Sequence, residues 1–132
     1  MIIRNAIITP DGTELVSETV HDYKTHTDAV TGKMYGVDGG TEYQRLIGDI
    51  DDCKVICLTT ENSPIEDIRK YFTWGTYGKD GVGDYRRVKL MEMSNDHIHA
   101  ILETQMQLSE DRREIFFKEL EYRDIRGIFI ED

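Results

Sequence analysis

Residues 94–127, SNDHIHAILETQMQLSEDRREIFFKELEYRDIRG, contain two helix starts and one helix end. Ser94 and Ser109 each precede an acidic first turn, which is the pattern of an N-cap, because a serine oxygen accepts a hydrogen bond from a free N–H group at the helix start. Gly127 marks the end, since glycine readily closes a helix. The stretch therefore predicts two consecutive helices with a short connector, an αα-hairpin.

The apolar residues of the two helices follow different patterns. Those of the first helix fall on one face at helical spacing, namely Ile98, Ile101, Leu102 and Met106. Those of the second helix are Ile115, Phe116, Phe117 and Leu120. Because Phe116 and Phe117 point about 100° apart, one core surface does not cover both. We therefore expect a second surface, that of a subunit partner, on this helix.

Upstream of the helices, the chain has the composition of short strands separated by turns. The segment MIIRNAII is rich in β-branched residues, and Pro10, Asp11 and Gly12 predict a tight turn before ELVSETV returns as the second strand of a hairpin. Further strands are expected in HDYKTHTDA, KMYGV and KVICLTT. Asp49, Asp51 and Asp52 form an acidic loop without the spacing of a calcium site.

Between these halves, Ser63 and Pro64 predict the start of a short helix, with Ser63 as N-cap and Pro64 in the first helical position. Residues 85–91 predict one more strand, and GIFIED after Gly127 a short β-like tail. Strands followed by helices favour an α+β fold, an antiparallel sheet in the N-terminal half packed against the C-terminal αα-hairpin. At 132 residues, the chain is expected to form a single domain over residues 1–132.

The composition limits the classes of molecule that the protein can bind and indicates its cellular compartment. With 26 acidic and 16 basic residues the net charge is −10, which disfavours nucleic acid polymers but not a small anion in a local basic pocket. No apolar run is long enough to span a membrane, and Arg4 and Asn5 interrupt any signal sequence, so a cytoplasmic protein is expected. Cys53 and Cys57 lie too far apart along one strand for a disulfide, and we expect free, half-buried thiols.

The glycine-rich stretch FTWGTYGKDGVGDYRR, Phe72–Arg87, allows two interpretations. It lacks the Gly-Lys-Ser/Thr unit of a P-loop, so it is either the rim of a pocket for a small phosphorylated ligand or a long turn. Basic pairs at Arg86-Arg87 and Arg112-Arg113 favour the first, because the second pair opens a helix whose N–H groups attract anions. The alternative is a solvated run of charge.

The sequence contains few residues in the patterns typical of catalytic sites or metal sites. The histidines of HIH, His97 and His99, point about 200° apart on a helix and cannot share a metal, and neither HExxH nor paired CxxC occurs. No GxSxG elbow is present. We expect no catalytic residue, no metal site and no cofactor, although His21 or His26 could serve as the base of a phosphodiesterase.

Several motifs together resemble small phage proteins of the Thoeris anti-defence type 1 family. They are HDY at His21–Tyr23, VDGGTEYQR at Val37–Arg45, WGTYGKDG at Trp74–Gly81 and SNDHIHAILETQ at Ser94–Gln105. Related phage proteins carry a CxxCG pair ahead of HDF and VDGG that binds zinc. Here Ile8 and Asp11 stand where those cysteines would be, so the resemblance implies no zinc site in this chain.

The resemblance implies a sponge that binds a cyclic ADP-ribose isomer made by TIR-domain sensors and holds it without cleavage. It also implies a homodimer or higher homo-oligomer with pockets near the subunit junction, and some members bind cyclic trinucleotides at a separate site. The family pocket uses an aromatic ring, an asparagine ten positions later and arginines of the last helix. Tyr85, Asn95 and Arg112 match that spacing, with Arg113 as the neighbouring candidate.

Two other functions remain open at this stage. The first is a phage protein that inhibits a host protein by DNA mimicry, which would require carboxylates arrayed on one face. Basic pairs near helix starts count against it. The second is a phosphodiesterase that degrades a cyclic nucleotide, which differs from a sponge in not returning its ligand intact.

Overall fold

The computed structural model describes residues 1–78 and 81–132. The chain divides into two compact units, Met1–Asn62 and Ser63–Asp132. The first unit contains antiparallel sheets and the second contains three helices, so the α+β class is confirmed. The expectation of one nucleotide-binding domain with the sheet packed on the helices stays a prediction. Among the described residues, no helix has the length and apolarity needed to cross a membrane.

The first unit is built from two three-stranded sheets. One sheet has the order β2-β1-β6 and the other the order β3-β4-β5, with all neighbours antiparallel. The strands are β1 (Ile2–Ile8), β2 (Glu14–Val16), β3 (Lys24–Thr27), β4 (Met34–Asp38), β5 (Arg45–Ile47) and β6 (Lys54–Thr59). The predicted hairpin of β1 and β2 is confirmed, with Ile7 opposite Leu15. The strands expected in HDYKTHTDA and KMYGV also pair with each other, with His26 opposite Tyr35.

The core of the first unit lies where alternating side chains of these strands turn inward. Ile7, Tyr35 and Val37 are fully buried, and Leu15, Leu46, Ile50 and Cys53 pack against them. Cys53 and Cys57 are free and half-buried, as expected. Burial raises the pKa of the Cys53 thiol, with nearby Asp52 and Asp28 contributing, so this thiol is kept in its neutral form.

The second unit consists of α1 (Ile65–Tyr71), β7 (Thr73–Thr76), β8 (Arg86–Lys89), α2 (Asn95–Thr104) and α3 (Glu110–Arg126). Antiparallel pairing joins β7 to β8. The buried apolar side chains of this unit are Ile68, Phe72, Leu90, Met93, Ile98, Ile101, Ile115 and Phe116. Phe116 makes T-shaped ring contacts with Phe72 and Trp74, with ring centroids 5.8 Å and 5.5 Å apart.

Three of the four expected helix boundaries agree with the structure. The hydroxyl oxygens of Ser94 and Ser109 accept hydrogen bonds from the backbone N–H groups of His97 and Arg112. Gly127 closes α3 in the left-handed conformation, with φ of 66°. The start of α1 was predicted one residue too early: Pro64 is the N-cap and the helix begins at Ile65.

Four other expectations need correction. Thr73–Thr76, placed in the glycine-rich loop, forms β7. The last strand, expected over residues 85–91, is shorter, because a 3-10 turn begins at Leu90. Met106 lies beyond the end of α2 and is 89% exposed. The residues after Gly127 form no strand, but Ile130 exchanges backbone and side-chain hydrogen bonds with Asn95.

Candidate functional site

The four residues expected to bind a ligand, Tyr85, Asn95, Arg112 and Arg113, all lie in the second unit. Tyr85 immediately precedes β8 and its side chain is 54% exposed. Its ring packs edge-on against Tyr77, with centroids 5.3 Å apart. The ring also covers Gly75, where an added Cβ would lie 2.3 Å from the Tyr85 hydroxyl oxygen. Glycine at this position therefore lets an aromatic ring lie directly on the β7 backbone.

Arg87 holds a guanidinium beside this aromatic pair. Its Nε donates to Thr73 Oγ1 at 2.9 Å, and its Nη1 donates to the Tyr85 hydroxyl at 3.3 Å. A planar cation next to an exposed ring has the chemistry needed for a phosphorylated aromatic ligand. We call Tyr77, Tyr85 and Arg87 the tyrosine–arginine surface. Lys79 and Asp80 of the same glycine-rich stretch lie outside the described residues.

In Asn95, the first residue of α2, the oxygen and the nitrogen of the carboxamide differ in their hydrogen bonding. Its Oδ1 accepts from Arg123 Nη1 at 2.8 Å and from the backbone N–H of Ile130 at 3.0 Å. Both partners are donors, which fixes the oxygen on this side. Over residues 1–78 and 81–132, Nδ2 has no hydrogen-bond partner. Asn95 can therefore donate to a ligand through Nδ2, whereas its Oδ1 already accepts two hydrogen bonds.

The pKa of His97, in the first turn of α2, is affected by burial and by two charged residues. Burial lowers the pKa of His97, the negative charge of Asp132 opposes this shift, and the positive charge of Arg86 lowers the pKa further. Arg86 follows Tyr85 in sequence, and His97 lies two residues after Asn95. The interaction of Arg86 with His97 involves neither the Tyr85 ring nor the Asn95 carboxamide, because side chains of consecutive residues in an extended chain point to opposite faces.

Arg112 and Arg113 lie in the first turn of α3 and are half-buried. Arg112 Nη1 bends back to the N-cap oxygen of Ser109 at 3.5 Å. Arg123, which contacts Asn95, lies about three turns or 16 Å further along the same helix. Within the described ranges, no hydrogen bond, ion pair or ring contact joins any two of Tyr85, Asn95, Arg112 and Arg113. The described contacts of one chain therefore do not bring the four residues into one pocket, and Arg112 lies well separated from Arg123, the partner of Asn95.

A buried network of charged side chains holds Arg123, the residue that donates to Asn95. Glu119 is fully buried and accepts from Arg69 Nε at 2.8 Å and from Arg123 Nε at 2.7 Å. Arg123 is 1% exposed, and its Nη2 donates to the carbonyl oxygen of Leu90 at 3.0 Å. The hydrogen bonds to Glu119 raise the pKa of Arg69. The sequence did not single out these residues, because the same Glu-to-Arg spacing of four also occurs on exposed helix faces.

The VDGG motif, Val37–Gly40, forms a closely packed turn in the first unit. Asn5 Nδ2 donates to the carbonyl oxygens of Asp38, Gly40 and Tyr43 at 3.2, 3.1 and 2.8 Å. Gly40 has φ of +52°, and an added Cβ would lie 2.1 Å from the carbonyl carbon of Thr19. The VDGG turn therefore requires glycine for close backbone packing, which gives this motif a role in the fold.

A polar cluster of Asp11, His26 and Asp28 also lies in the first unit. Their ligand atoms lie within 4.8 Å of one another, the arrangement of a candidate metal site. Asp11 Oδ2 accepts from His26 Nε2 at 2.8 Å and from the Ala29 N–H at 2.9 Å. The oxygens of Asp28 accept from the N–H groups of Asp11 and Thr31, both at 2.8 Å.

A metal ion would have to displace hydrogen bonds within this cluster. The N–H of Ala29 and the His26 ring lower the pKa of Asp11 well below its usual range. Burial acts to raise the pKa of Asp28, but hydrogen bonds from Thr31 and Asp11 outweigh it and the pKa is lowered. Both carboxylates are thus satisfied by donors of the chain itself. The sequence did not reveal this cluster, because Asp11 joins it only when two hairpin turns meet.

We expect Asp11→Asn to reduce the pH dependence of stability in acid. Because the folded pKa of Asp11 is lowered, its contribution is complete above the unfolded pKa of about 4 and is lost as the pH falls below that value. The variant should take up fewer protons on unfolding between about pH 4 and 2, by up to about one. Urea denaturation across this range measures the difference.

Asp51→Asn is the matched control, since Asp51 is exposed and its carboxylate has no hydrogen-bond partner in the described part of the chain. It should retain the acid dependence of the parent protein. Identical curves for the parent and Asp11→Asn would contradict the assigned hydrogen bonds.

Comparison of the chain with protein-family models, with curated proteins and with solved structures gave no match in any of the three.

Proposed function

We propose that the protein is a phage anti-defence protein that binds a TIR-derived cyclic ADP-ribose isomer and sequesters it without cleavage. It would thereby block Thoeris signalling in the cytoplasm of the infected bacterium. The observation that carries this proposal is the tyrosine–arginine surface. An exposed aromatic pair with a fixed guanidinium is unusual chemistry for a chain of net charge −10, and it suits a small anionic ligand with an aromatic base.

Each expected ligand group has a counterpart near the start of β8 and α2. Adenine can stack on the Tyr85 ring, a contact worth about 1 to 3 kcal/mol per base in single-stranded nucleic acid complexes. Asn95 Nδ2 can donate to an acceptor atom of a ribose or base, because Arg123 and Ile130 hold the carboxamide in one orientation. Arg87 is a further candidate for a phosphate oxygen, beyond the residues indicated by the sequence.

We assign Arg112 and Arg113 to the same ligand through a second copy of the chain. Within one chain, about three turns of α3 separate Arg112 from the arginine that contacts Asn95. A homodimer whose α3 start approaches the Tyr85 ring of its partner would complete the pocket. A cyclic trinucleotide site of the kind found in some members of the resembled family would be separate from this pocket.

We therefore expect the protein to be at least dimeric at micromolar concentration. Light scattering should give a mass of twice 15.3 kDa or more, and binding of the ligand should raise the fraction of dimer, because the pocket spans two chains. A 15.3 kDa particle with and without ligand would contradict both the dimer and the shared pocket.

The function is tested by recovering the ligand. The purified protein is incubated with cyclic ADP-ribose isomers and cyclic trinucleotides, and native mass spectrometry reports which of them bind and in what ratio. The complex is then denatured by heat, and the released ligand is identified by chromatography. A sponge returns the intact cyclic ADP-ribose isomer. An opened or hydrolysed product would identify a phosphodiesterase instead, and absence of binding would end the proposal.

A further inference from the structure

The outward side of α3 combines carboxylates with large apolar side chains. Helical geometry places five residues within about 80° of one another around the axis, and a sixth at the edge of that sector. All six are exposed. They are Glu110, Glu114, Phe117, Glu121, Asp124 and, at the edge, Ile125. We call this set the acidic face of α3.

The charges on this face are mostly uncompensated. Glu114 pairs with Lys118 at 3.0 Å. Glu110, Glu121 and Asp124 form no ion pair within residues 1–78 and 81–132. Carboxylates at helical intervals of three and four residues are about 4.5 to 6 Å apart along the axis. The face therefore presents a row of carboxylates, with one basic residue beyond each edge, Arg113 and Lys118.

Two exposed apolar side chains lie among these charges. Phe117 is 54% exposed and Ile125 is 71% exposed, although Ile115 and Phe116 on the opposite side of the helix are buried. The two side chains lie about 12 Å apart along the helix axis, so a partner that covers both must extend over more than two helical turns. Phe117 stands between Glu114 and Glu121, so any partner that covers the ring must also approach carboxylates.

Charge complementarity selects the partner. A second copy using the same face about a two-fold axis would bring one row of carboxylates against the other, and like charges at an interface cost several kcal/mol. The partner must neutralise the carboxylates and cover the two exposed apolar side chains. A basic amphipathic segment does both, because its lysines or arginines face the carboxylates and its apolar side chains cover Phe117 and Ile125. This assignment also moves the subunit contact expected at Phe117 to another surface.

We propose that the acidic face of α3 binds a basic, amphipathic segment of another protein. The face is separate from the nucleotide pocket, since Arg112 points about 140° away from Phe117 around the helix axis. It provides the row of carboxylates on one face that inhibition of a basic host protein would require. The inference does not depend on the proposed nucleotide ligand.

The test uses a fluorescent peptide of about five helical turns with leucine and lysine at amphipathic spacing. Fluorescence anisotropy compares it with oligolysine of equal charge and with the same peptide carrying glutamate for lysine. We expect the amphipathic basic peptide to bind at least about tenfold more tightly than oligolysine, a difference of about 1.4 kcal/mol. The glutamate peptide should not bind.

The variants locate the contact. The double variant Glu121→Lys with Asp124→Lys should bind the basic peptide at least about tenfold more weakly, and Phe117→Ser about fivefold more weakly. The control is Glu18→Lys with Glu42→Lys, which makes the same change in net charge at exposed positions of the first unit. It should change affinity less than about twofold. Circular dichroism verifies that each variant is folded.

Three results would overturn the proposal. The first is equal affinity for the basic peptide and oligolysine, which would mean that net charge alone is responsible. The second is an equal loss of affinity in the control variant, which would place the contact elsewhere. The third is loss of self-association in Phe117→Ser with unchanged peptide binding, which would show that a second copy occupies this face.

Discussion

Replacing Glu119 by glutamine is expected to lower the free energy of unfolding by about 3 to 5 kcal/mol at pH 7. The substitution keeps the size of the side chain but leaves the guanidinium groups of Arg69 and Arg123 without a counter-charge inside the second unit. It also turns one acceptor into an N–H donor that faces other donors. Urea denaturation measures the loss as a lower midpoint with an unchanged slope.

The same substitution at Glu114 is the matched control. Glu114 lies on the same helix and pairs with Lys118, but both side chains are about half-exposed or more, so the pair contributes about 0.5 kcal/mol or less. Glu114→Gln should therefore unfold close to the parent. A Glu119→Gln variant as stable as Glu114→Gln would mean that water reaches the Arg69–Glu119–Arg123 network and that it does not hold Asn95 in place.

Arg112→Ala is expected to weaken binding of the cyclic ADP-ribose isomer about ten- to hundredfold. A charge-assisted hydrogen bond to phosphate contributes about 1.5 to 3 kcal/mol, and the Arg112 side chain gives up only a long contact to Ser109 to make it. Tyr85→Ala should weaken binding through loss of stacking. Tyr85→Phe should have little effect, because its hydroxyl accepts only a 3.3 Å hydrogen bond from Arg87. Isothermal titration measures all three.

Lys118→Ala provides the control for charge. It removes one positive charge from the exposed surface of the same helix and should change affinity less than about twofold. If Tyr85→Ala, Asn95→Ala and Arg112→Ala are folded and bind as tightly as the parent, the pocket lies elsewhere. If Arg112→Ala alone leaves the ligand affinity unchanged, Tyr85 and Asn95 form the pocket without a residue from a second copy.

The sequence alone predicted the elements whose signals are local. The caps at Ser94 and Ser109 and the end at Gly127 were correct, because each depends on hydrogen bonds within one turn of the residue itself. The hairpin at Pro10–Gly12 was correct for the same reason, since the turn residues set the pairing of the strands on either side.

Elements without a strong local signal were missed. Thr73–Thr76 contains strand-favouring threonines and a tryptophan, but it is only four residues long and lies in a glycine-rich stretch, which concealed the strand that pairs with β8. Met106 continued the apolar pattern of α2, but the helix ends at Thr104 and the side chain is exposed. Apolar spacing does not specify where a helix stops.

The residue types of the candidate site follow from the sequence, and their roles follow from tertiary contacts. The resemblance indicated Tyr85, Asn95 and the arginines of α3 as candidates for a phosphorylated aromatic ligand, and their residue types are consistent with that chemistry. The three-dimensional arrangement decided that the Asn95 oxygen is already occupied, that Glu119 and Arg123 are buried, and that Asp11 meets His26 and Asp28. The reason is physical: hydrogen bonds and burial depend on residues far apart in sequence, whereas caps and turns depend on near neighbours.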